Sequence, residues 1–169
     1  HDRMILFGGE DGALDDETWV YNVTDNSWIN MTPSMAPSGR YSHSLAFVSA
    51  NNRVVLFGGF DGSYYDDTWV YNLIDNSWTN MNPSRAPSAR RYPSMAYDST
   101  HDRVILFGGD DGGYDNETWV YNLTDNSWTN MTPSTAPSAR HGHSMVYDSA
   151  HDRVVMFGGY DGSYDNETW

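Results

Sequence analysis

Short runs of β-branched and aromatic residues alternate along this chain with clusters of Gly, Pro, Asn, Asp and Ser. This alternation predicts strands joined by turns, and no stretch has the period of an amphipathic helix. In one representative stretch the runs fall at about residues 42–48, 53–59, 67–73 and 77–81. Because short connections favour antiparallel neighbours, these runs predict a four-stranded antiparallel meander.

The same pattern returns every 50 residues. A Phe-Gly-Gly word closes the second run of each unit, and Trp residues recur on the third and fourth runs. The repeated aromatic positions are Phe7, Phe57, Phe107 and Phe157; Trp19, Trp69, Trp119 and Trp169; and Trp28, Trp78 and Trp128. A fixed period of this size indicates an array of small units that bury their cores by stacking.

Four-stranded units repeated about an axis are the blades of a β-propeller. The Gly-Gly pair, the acidic glycine loop, the Thr-Trp-Val-Tyr strand and the Ser-Trp strand resemble a kelch repeat over the whole chain. The resemblance implies an all-β fold of kelch-type β-propeller blades. The predicted array has a partial blade at 1–31, blades at 41–81 and 91–131, and a partial blade at 141–169. We expect an incomplete ring, as a fragment of a longer array of roughly five to seven blades.

Physical roles follow for the recurring residues. The glycine pair permits positive φ and a close approach where a Cβ would clash. We expect the third-strand Trp to lie against these glycines and to fill the gap between blades. The recurring aromatics are therefore predicted core residues, and sugar stacking is the alternative.

One rim of the disc carries the long loops. An up-and-down blade places there the Pro/Ser/Ala/Arg segment before the first strand, such as 82–91, and the acidic loop between the second and third strands, such as 58–67. We call this side the long-loop rim. Its arginines either pair with the aspartates or offer a guanidinium group to an anionic ligand. The candidate ligand-binding residues are Arg40, Arg90, Arg140, Tyr64 and Tyr114.

The acidic loops have two interpretations. Asp-Gly favours tight turns, and a following Asp or Asn can bond its own backbone. Alternatively, the loops supply oxygen ligands to calcium, although their spacing is not that of an EF-hand. The candidate calcium ligands are Asp11, Asp15, Asp61, Asp66, Asp111, Asp115, Asp161 and Asp165. The pattern requires no cofactor, and calcium is the only candidate.

Histidines follow the repeat as well. His43 and His143 recur on the first strand, and His1, His101 and His151 recur in a turn. A catalytic centre usually draws different residues from different units, and no such set is visible. We therefore predict no catalytic residues and no enzymatic activity in this chain.

The charge balance excludes two classes of partner. The formal net charge is -14, and the nine basic residues are all arginine. Nucleic acids and anionic membrane surfaces both need clustered cations, so neither is an expected partner. No apolar run approaches the roughly 18 residues of a membrane span, so we expect no membrane insertion in this segment. The chain has no cysteine and hence no disulfide or thiolate site.

Six asparagines occur in Asn-X-Ser/Thr sequons and are glycan acceptors if the protein is exported. They are Asn22, Asn30, Asn116, Asn122, Asn130 and Asn166. Together with the acidic, lysine-free composition, the sequons favour an extracellular or cell-surface protein from a prokaryote, archaeal or bacterial.

The expected function is a non-catalytic scaffold that binds proteins or glycans, or directs assembly, through its rim loops, as the resemblance implies. Two alternatives remain open: the propeller segment of a larger secreted carbohydrate-active enzyme with catalytic residues elsewhere, and an intracellular adaptor. Non-symmetric polar residues on the long-loop rim would favour the enzyme, and occupied sequons would exclude the adaptor. Exposed blade ends also predict self-association.

Overall fold

The computed structural model describes residues 3–169, and there the chain forms antiparallel β-sheets without a helix. The first sheet contains β1 (Arg3–Glu10), β2 (Leu14–Asn22) and β3 (Ser27–Asn30). The second contains β4 (Ser44–Val48), β5 (Arg53–Phe57), β6 (Thr68–Asn72) and β7 (Ser77–Asn80). The third contains β8 (Ser94–Asp98), β9 (Arg103–Phe107), β10 (Thr118–Asn122) and β11 (Ser127–Asn130), and the fourth contains β12 (Ser144–Asp148) and β13 (Arg153–Phe157).

Each sheet is a meander in chain order, so the predicted all-β fold of antiparallel blades is confirmed. The first strands β4, β8 and β12 lie side by side and form the inner edge of the array. In the described part of the chain the sheets do not close a ring. The same residues contain no helical segment long and apolar enough to span a bilayer.

The predicted strands agree with the observed ones to within about two residues at each end. The second strand was predicted to run from 53 to 59 but ends at Phe57. Gly58 and Gly59 then take left-handed φ values of 72° and 107°, which carry the backbone out of the ladder. The middle strand is buried on both faces, because Val55 and Leu56 are 0% exposed although they point in opposite directions.

The fourth-strand tryptophans fill the space between neighbouring sheets. The indole of Trp128 donates a hydrogen bond to the hydroxyl of Thr68 in the preceding sheet, at 2.9 Å. Its ring packs edge-on against Phe57, with centroids 5.2 Å apart. Trp78 makes the same pair of contacts one unit earlier, with Thr18 and Phe7. The indole N–H is therefore satisfied inside an otherwise apolar contact.

The expectation that the third-strand Trp lies against the glycine pair was wrong. Trp69 instead donates to the carboxylate of Asp67 on its own strand, at 2.7 Å. The glycines meet the backbone of the next unit: Gly59 N–H donates to the carbonyl oxygen of Arg90 at 2.9 Å. A Cβ at Gly58 would collide with that same oxygen. The close approach was predicted correctly, but the approaching group is a carbonyl.

An apolar groove lies between β1 and the second sheet. Met4, Ile5, Leu45 and Leu73 line it, and Ile74 at its margin is 79% exposed. Self-association through such open faces stays a prediction.

Histidine rings also pack between sheets. His43 lies edge-on to Phe7 of the preceding sheet, with centroids 5.6 Å apart, and His143 lies edge-on to Phe107 at 5.4 Å. The middle unit carries Pro93 at the same position. Burial, helped by the guanidinium of the arginine three residues earlier, lowers the pKa of both histidines to about 4. The folded protein therefore holds both rings neutral at pH 5.

We predict that acid weakens the contacts between sheets. An unfolded histidine takes up its proton near its ordinary pKa of about 6.5, whereas the folded rings resist protonation down to about pH 4. The contribution to stability is therefore complete above pH 6.5 and is lost as the pH falls from 6.5 to 4. The loss amounts to roughly 3 kcal/mol per histidine when complete.

The middle unit supplies the control. In a double variant His43→Pro, His143→Pro, each changed position copies Pro93. Urea unfolding at pH 7 and pH 4.5 should give a smaller drop in the free energy of unfolding for this variant than for the unaltered chain. An equal drop in the two proteins would contradict the prediction.

Candidate functional site

Three buried arginines organise the long-loop rim. Arg40, Arg90 and Arg140 are each 0–1% exposed. The guanidinium group of Arg90 donates to the carbonyl oxygens of Ser88 and Gly108, at 3.0 and 3.1 Å, and to Glu117 at 2.8 Å. Its own carbonyl oxygen accepts the glycine N–H of the preceding unit. Each arginine thus fixes its own segment, its own acidic loop and the neighbouring sheet at once.

The second partner of the arginine differs between units. Arg90 lies 3.2 Å from a carboxylate oxygen of Asp115. In the preceding unit the equivalent residue is Tyr65, and the guanidinium of Arg40 lies 3.7 Å from the centroid of that ring. The carboxylate of Asp67 accepts hydrogen bonds from both terminal nitrogens of Arg40. A cation–π contact has replaced one ion pair without loss of the fork geometry.

Burial dominates the electrostatics of the second carboxylate. It raises the pKa of Asp115 to about 6, and the guanidinium of Arg90 opposes this shift. Asp115 Oδ2 is buried without a hydrogen bond, so its partnership with the arginine is ionic only. Glu117 is more exposed, and its hydrogen bonds from Arg90 and Trp119 outweigh the effect of burial and lower its pKa.

Of the two predicted roles for these arginines, the structure shows the pairing with the acidic loops. Burial keeps their guanidinium groups away from a ligand on the rim, so the predicted ligand-binding role does not fit Arg40, Arg90 or Arg140. They act as positioning residues for the rim loops.

The outer aspartates of the acidic loops form turns. Asp61 accepts the backbone N–H of Ser63 at 3.1 Å and the hydroxyl of Tyr65 at 2.6 Å. These hydrogen bonds lower the pKa of Asp61. Asp111 and Asp161 accept the N–H two residues on in the same manner. The turn interpretation therefore accounts for the outer members of the three loops.

Calcium binding by these loops stays a prediction. In residues 3–169 one group of three side chains brings possible metal-ligand atoms within 4.8 Å of one another. It consists of Asp98, His101 and Asp152, which lie in turns of the opposite rim. Asp98 already accepts a hydrogen bond from Arg103 at 2.8 Å. His1, at the same turn position of the first unit, lies outside the described residues.

Four sequon asparagines bond their own turns, because each side-chain oxygen accepts the N–H two residues later at 2.9–3.0 Å. They are Asn22, Asn30, Asn122 and Asn130. Asn72 and Asn80 make the same bond outside any sequon, so the turn alone accounts for asparagine at these positions. Asn116 and Asn166 are exposed. Use of the sequons stays a prediction.

Two groups of aromatic rings lie on the long-loop rim with Arg91 between them, and we call them together the tyrosine track. Its members are Tyr41, Phe60, Tyr64, Tyr92, Tyr114, His141, Tyr160 and Tyr164. Neighbouring rings within it have centroids 5.0–5.8 Å apart. Short antiparallel bridges position them: the residue after each buried arginine pairs with the residue after the glycine pair, as Tyr41 does with Phe60.

Arg91 lies within the track, and its guanidinium group contacts the surrounding aromatic rings. Its guanidinium carbon is 5.2–5.7 Å from the ring centroids of Phe60, Tyr64 and Tyr92. Its Nε donates to Asp110 at 2.9 Å. The cation is thus enclosed by aromatic rings on one side and by a loop carboxylate on the other.

The tyrosine hydroxyls divide into two equal sets. Six donate hydrogen bonds to neighbouring side chains: those of Tyr21, Tyr65, Tyr71, Tyr97, Tyr121 and Tyr147. The other six have no hydrogen-bond partner for the hydroxyl among residues 3–169: Tyr41, Tyr64, Tyr92, Tyr114, Tyr160 and Tyr164. All six of these belong to the tyrosine track. Every tyrosine hydroxyl that the described fold leaves unbonded is therefore on the long-loop rim.

A comparison with known proteins agrees with this architecture. The sequence model of the KLHDC2/KLHL20/DRC7 Kelch-repeats domain matches residues 1–169. The chain belongs to the kelch-repeat family. A search among curated proteins found no match. Kelch repeats form propeller scaffolds that bind proteins, and they are generally non-catalytic.

Sequence reasoning missed most of the track because it followed the positions that repeat from unit to unit. The structure places the predicted Tyr64 and Tyr114 in the track, but Tyr41, Tyr92 and Tyr160 were not identified. A comparison of the units position by position would have found them. Positions 41, 91 and 141 carry Tyr, Arg and His; positions 42, 92 and 142 carry Ser, Tyr and Gly; and positions 60, 110 and 160 carry Phe, Asp and Tyr. Most of these non-symmetric residues are aromatic. The charged residues among them, Arg91 and Asp110, form an ion pair with each other.

We predict that Arg90→Lys destabilises the kelch domain by about 3 kcal/mol. A lysine cannot satisfy two carbonyl oxygens and a carboxylate in fork geometry, so buried partners lose their donors. The adjacent Arg91 is the control, since its side chain is 31% exposed and holds one ion pair. Arg91→Lys should cost less than about 1 kcal/mol. Urea unfolding of the two variants at pH 7 measures the difference, and equal losses would contradict the assigned role of Arg90.

Proposed function

We propose that this kelch protein binds another protein through the tyrosine track. The observation that carries the proposal is the segregation of all six unbonded tyrosine hydroxyls onto the long-loop rim. Tyrosine offers a large rigid surface with a polar tip at low conformational cost, and tyrosine and arginine are enriched where binding energy concentrates. No structural role in the described fold accounts for those hydroxyls, whereas a bound partner would use them.

The support beneath the track favours the same proposal. Each buried arginine holds the segment that precedes a track residue, and Gly59 N–H ties that segment to the neighbouring sheet. The backbone that carries these track residues is therefore fixed before a partner arrives. Pre-organisation of the backbone raises affinity because less of the chain must be ordered on binding.

We predict that Tyr64→Ala, Tyr92→Ala, Tyr114→Ala, combined in one chain, weakens protein binding at least about tenfold, since clustered aromatic anchors dominate such interfaces. Binders should be selected from a displayed random-peptide library against the unaltered chain. Their affinities should then be measured for the triple variant and for a control, Ile74→Ala, on the opposite rim.

Circular dichroism and thermal unfolding would verify that each variant is folded. Binders that the triple variant retains at full affinity would contradict the proposal. Selection on an oligosaccharide array, with affinity lost in the same triple variant, would instead identify a glycan as the partner.

We also propose that the protein acts outside the cell or on the cell surface. The acidic, lysine-free composition and the six sequons support this location. Asn116 and Asn166 are the sequon positions to follow first, because both are exposed and neither bonds a turn in the described residues.

The intact mass of the protein from its natural source, before and after chemical deglycosylation, tests the location. We expect the mass to fall in sugar-sized steps. A mass that does not change on deglycosylation would contradict the prediction that the sequons carry glycans.

A further inference from the structure

We infer that the segment bound by the tyrosine track is basic and rich in arginine, with its guanidinium groups stacked on the exposed tyrosine rings. This inference rests on the proposed function and specifies the chemistry of the partner. Three observations within the chain carry it: the way the rim already holds arginine, the exposure of particular rings, and the distribution of charge.

The rim holds its own arginines against aromatic rings. Arg40 stacks on Tyr65 at 3.7 Å, and Arg85 lies 5.3 Å from the centroid of Trp119. Arg91 lies among three rings of the track. For Arg40 and Arg91 a loop carboxylate completes the site. A ring and a nearby carboxylate are therefore the arrangement by which this surface recognises a guanidinium group.

The ring contacts recur one unit later with a smaller residue in place of the arginine, and Tyr160 stands at the position where Asp110 supplied the carboxylate. His141 occupies the position of Arg91, and its ring contacts Tyr92, Tyr114 and Tyr160 with centroids 5.0–5.7 Å apart. The imidazole covers less of the surrounding rings than the longer arginine does. Tyr114 is accordingly 42% exposed, whereas the equivalent Tyr64 beneath Arg91 is half-buried. Exposed ring faces at this place can accept a cation from outside the chain.

The charge of the rim selects a basic partner. Fifteen of the 23 carboxylates lie in the four acidic loops at 10–17, 60–67, 110–117 and 160–167. The facing segments contribute five arginines, and three of these are buried. Outer carboxylates such as Asp66 and Asp111 are exposed. A strongly negative rim attracts a basic segment and rejects an acidic one.

Arginine is favoured over lysine by the geometry of the rings. A planar, weakly hydrated guanidinium stacks on an aromatic face, whereas an ammonium group is a compact and strongly hydrated charge. Exposed rings with carboxylates nearby favour arginine on both counts, because its plane stacks on a ring and its charge pairs with a carboxylate. The partner segment should therefore present several arginines with small residues between them, so that the side chains can reach successive rings.

Three synthetic peptides of equal length test the inference by calorimetric titration of the full chain. The first contains three Arg-Gly pairs, the second replaces arginine with lysine, and the third replaces it with citrulline, which keeps the shape and loses the charge. We expect the arginine peptide to bind most tightly, the lysine peptide more weakly and the citrulline peptide weakest. Tyr92→Ala and Tyr114→Ala should each reduce affinity for the arginine peptide about two- to fivefold, as expected for an exposed cation–π contact.

A pair of matched charge variants separates recognition from general attraction. Asp66→Asn with Asp111→Asn removes two exposed charges from the long-loop rim, and Asp25→Asn with Asp125→Asn removes two from the opposite rim. We expect only the first pair of substitutions to weaken binding of the arginine peptide by more than added salt does. An equal effect of the two pairs would overturn the inference, because the peptide would then respond to net charge alone.

The remaining outcomes separate this inference from the proposed function. Equal affinity for the citrulline and arginine peptides would overturn the inference. Library-selected binders that depend on the tyrosine track but lack basic residues would also overturn it, while leaving the proposed function intact. Binders of any composition that ignore the tyrosine variants would contradict the proposed function itself.

Discussion

The buried arginine ahead of each first strand is the interaction on which the structure depends. Its carbonyl oxygen accepts the glycine N–H of the preceding sheet, as Arg90 does from Gly59. Its guanidinium group holds the glycine carbonyl and the acidic loop of its own sheet. A single residue thus fixes the spacing of the sheets and the shape of the rim, and the rim residues follow it directly in sequence. Loss of its partners would disturb stability and surface together.

The inner and outer carboxylates of the acidic loop have different structural roles. Its inner carboxylates, such as Glu117, neutralise the buried arginine. Its outer ones, such as Asp61, close the turn and remain exposed. The turn explains why the loop is acidic near its tip, and the arginine explains why it is acidic near the strand. The exposed charge that remains is then available to a partner without cost to the fold, since its structural hydrogen bonds use backbone N–H and hydroxyl donors.

The sequence predicted the fold well because its determinants repeat. The period of 50 residues, the glycine pair and the runs of β-branched residues are local signals, and the strands lie where they indicate. The pairing of Arg40 with the acidic loop was one of two alternatives, and only its burial decides between them. Contacts between sheets were harder to predict: Trp78 and Thr18 meet across 60 positions in the chain. The unbonded hydroxyls could not be read from sequence at all, because their state depends on what every neighbouring loop leaves uncovered.

The distinction between constant and variable positions is physical as well as descriptive. Constant residues such as Arg90 and Trp128 contact a neighbouring sheet, so a change at one of them must be matched by its partner. Variable residues such as Tyr41 and Arg91 belong to short antiparallel bridges that backbone hydrogen bonds form, so a change of side chain there alters the surface and little else. A propeller of this design can therefore vary its partner while its fold stays the same. The tyrosine track combines both classes: Tyr64, Tyr114 and Tyr164 repeat at one position of the acidic loop, whereas its other aromatic residues occupy positions that vary between units.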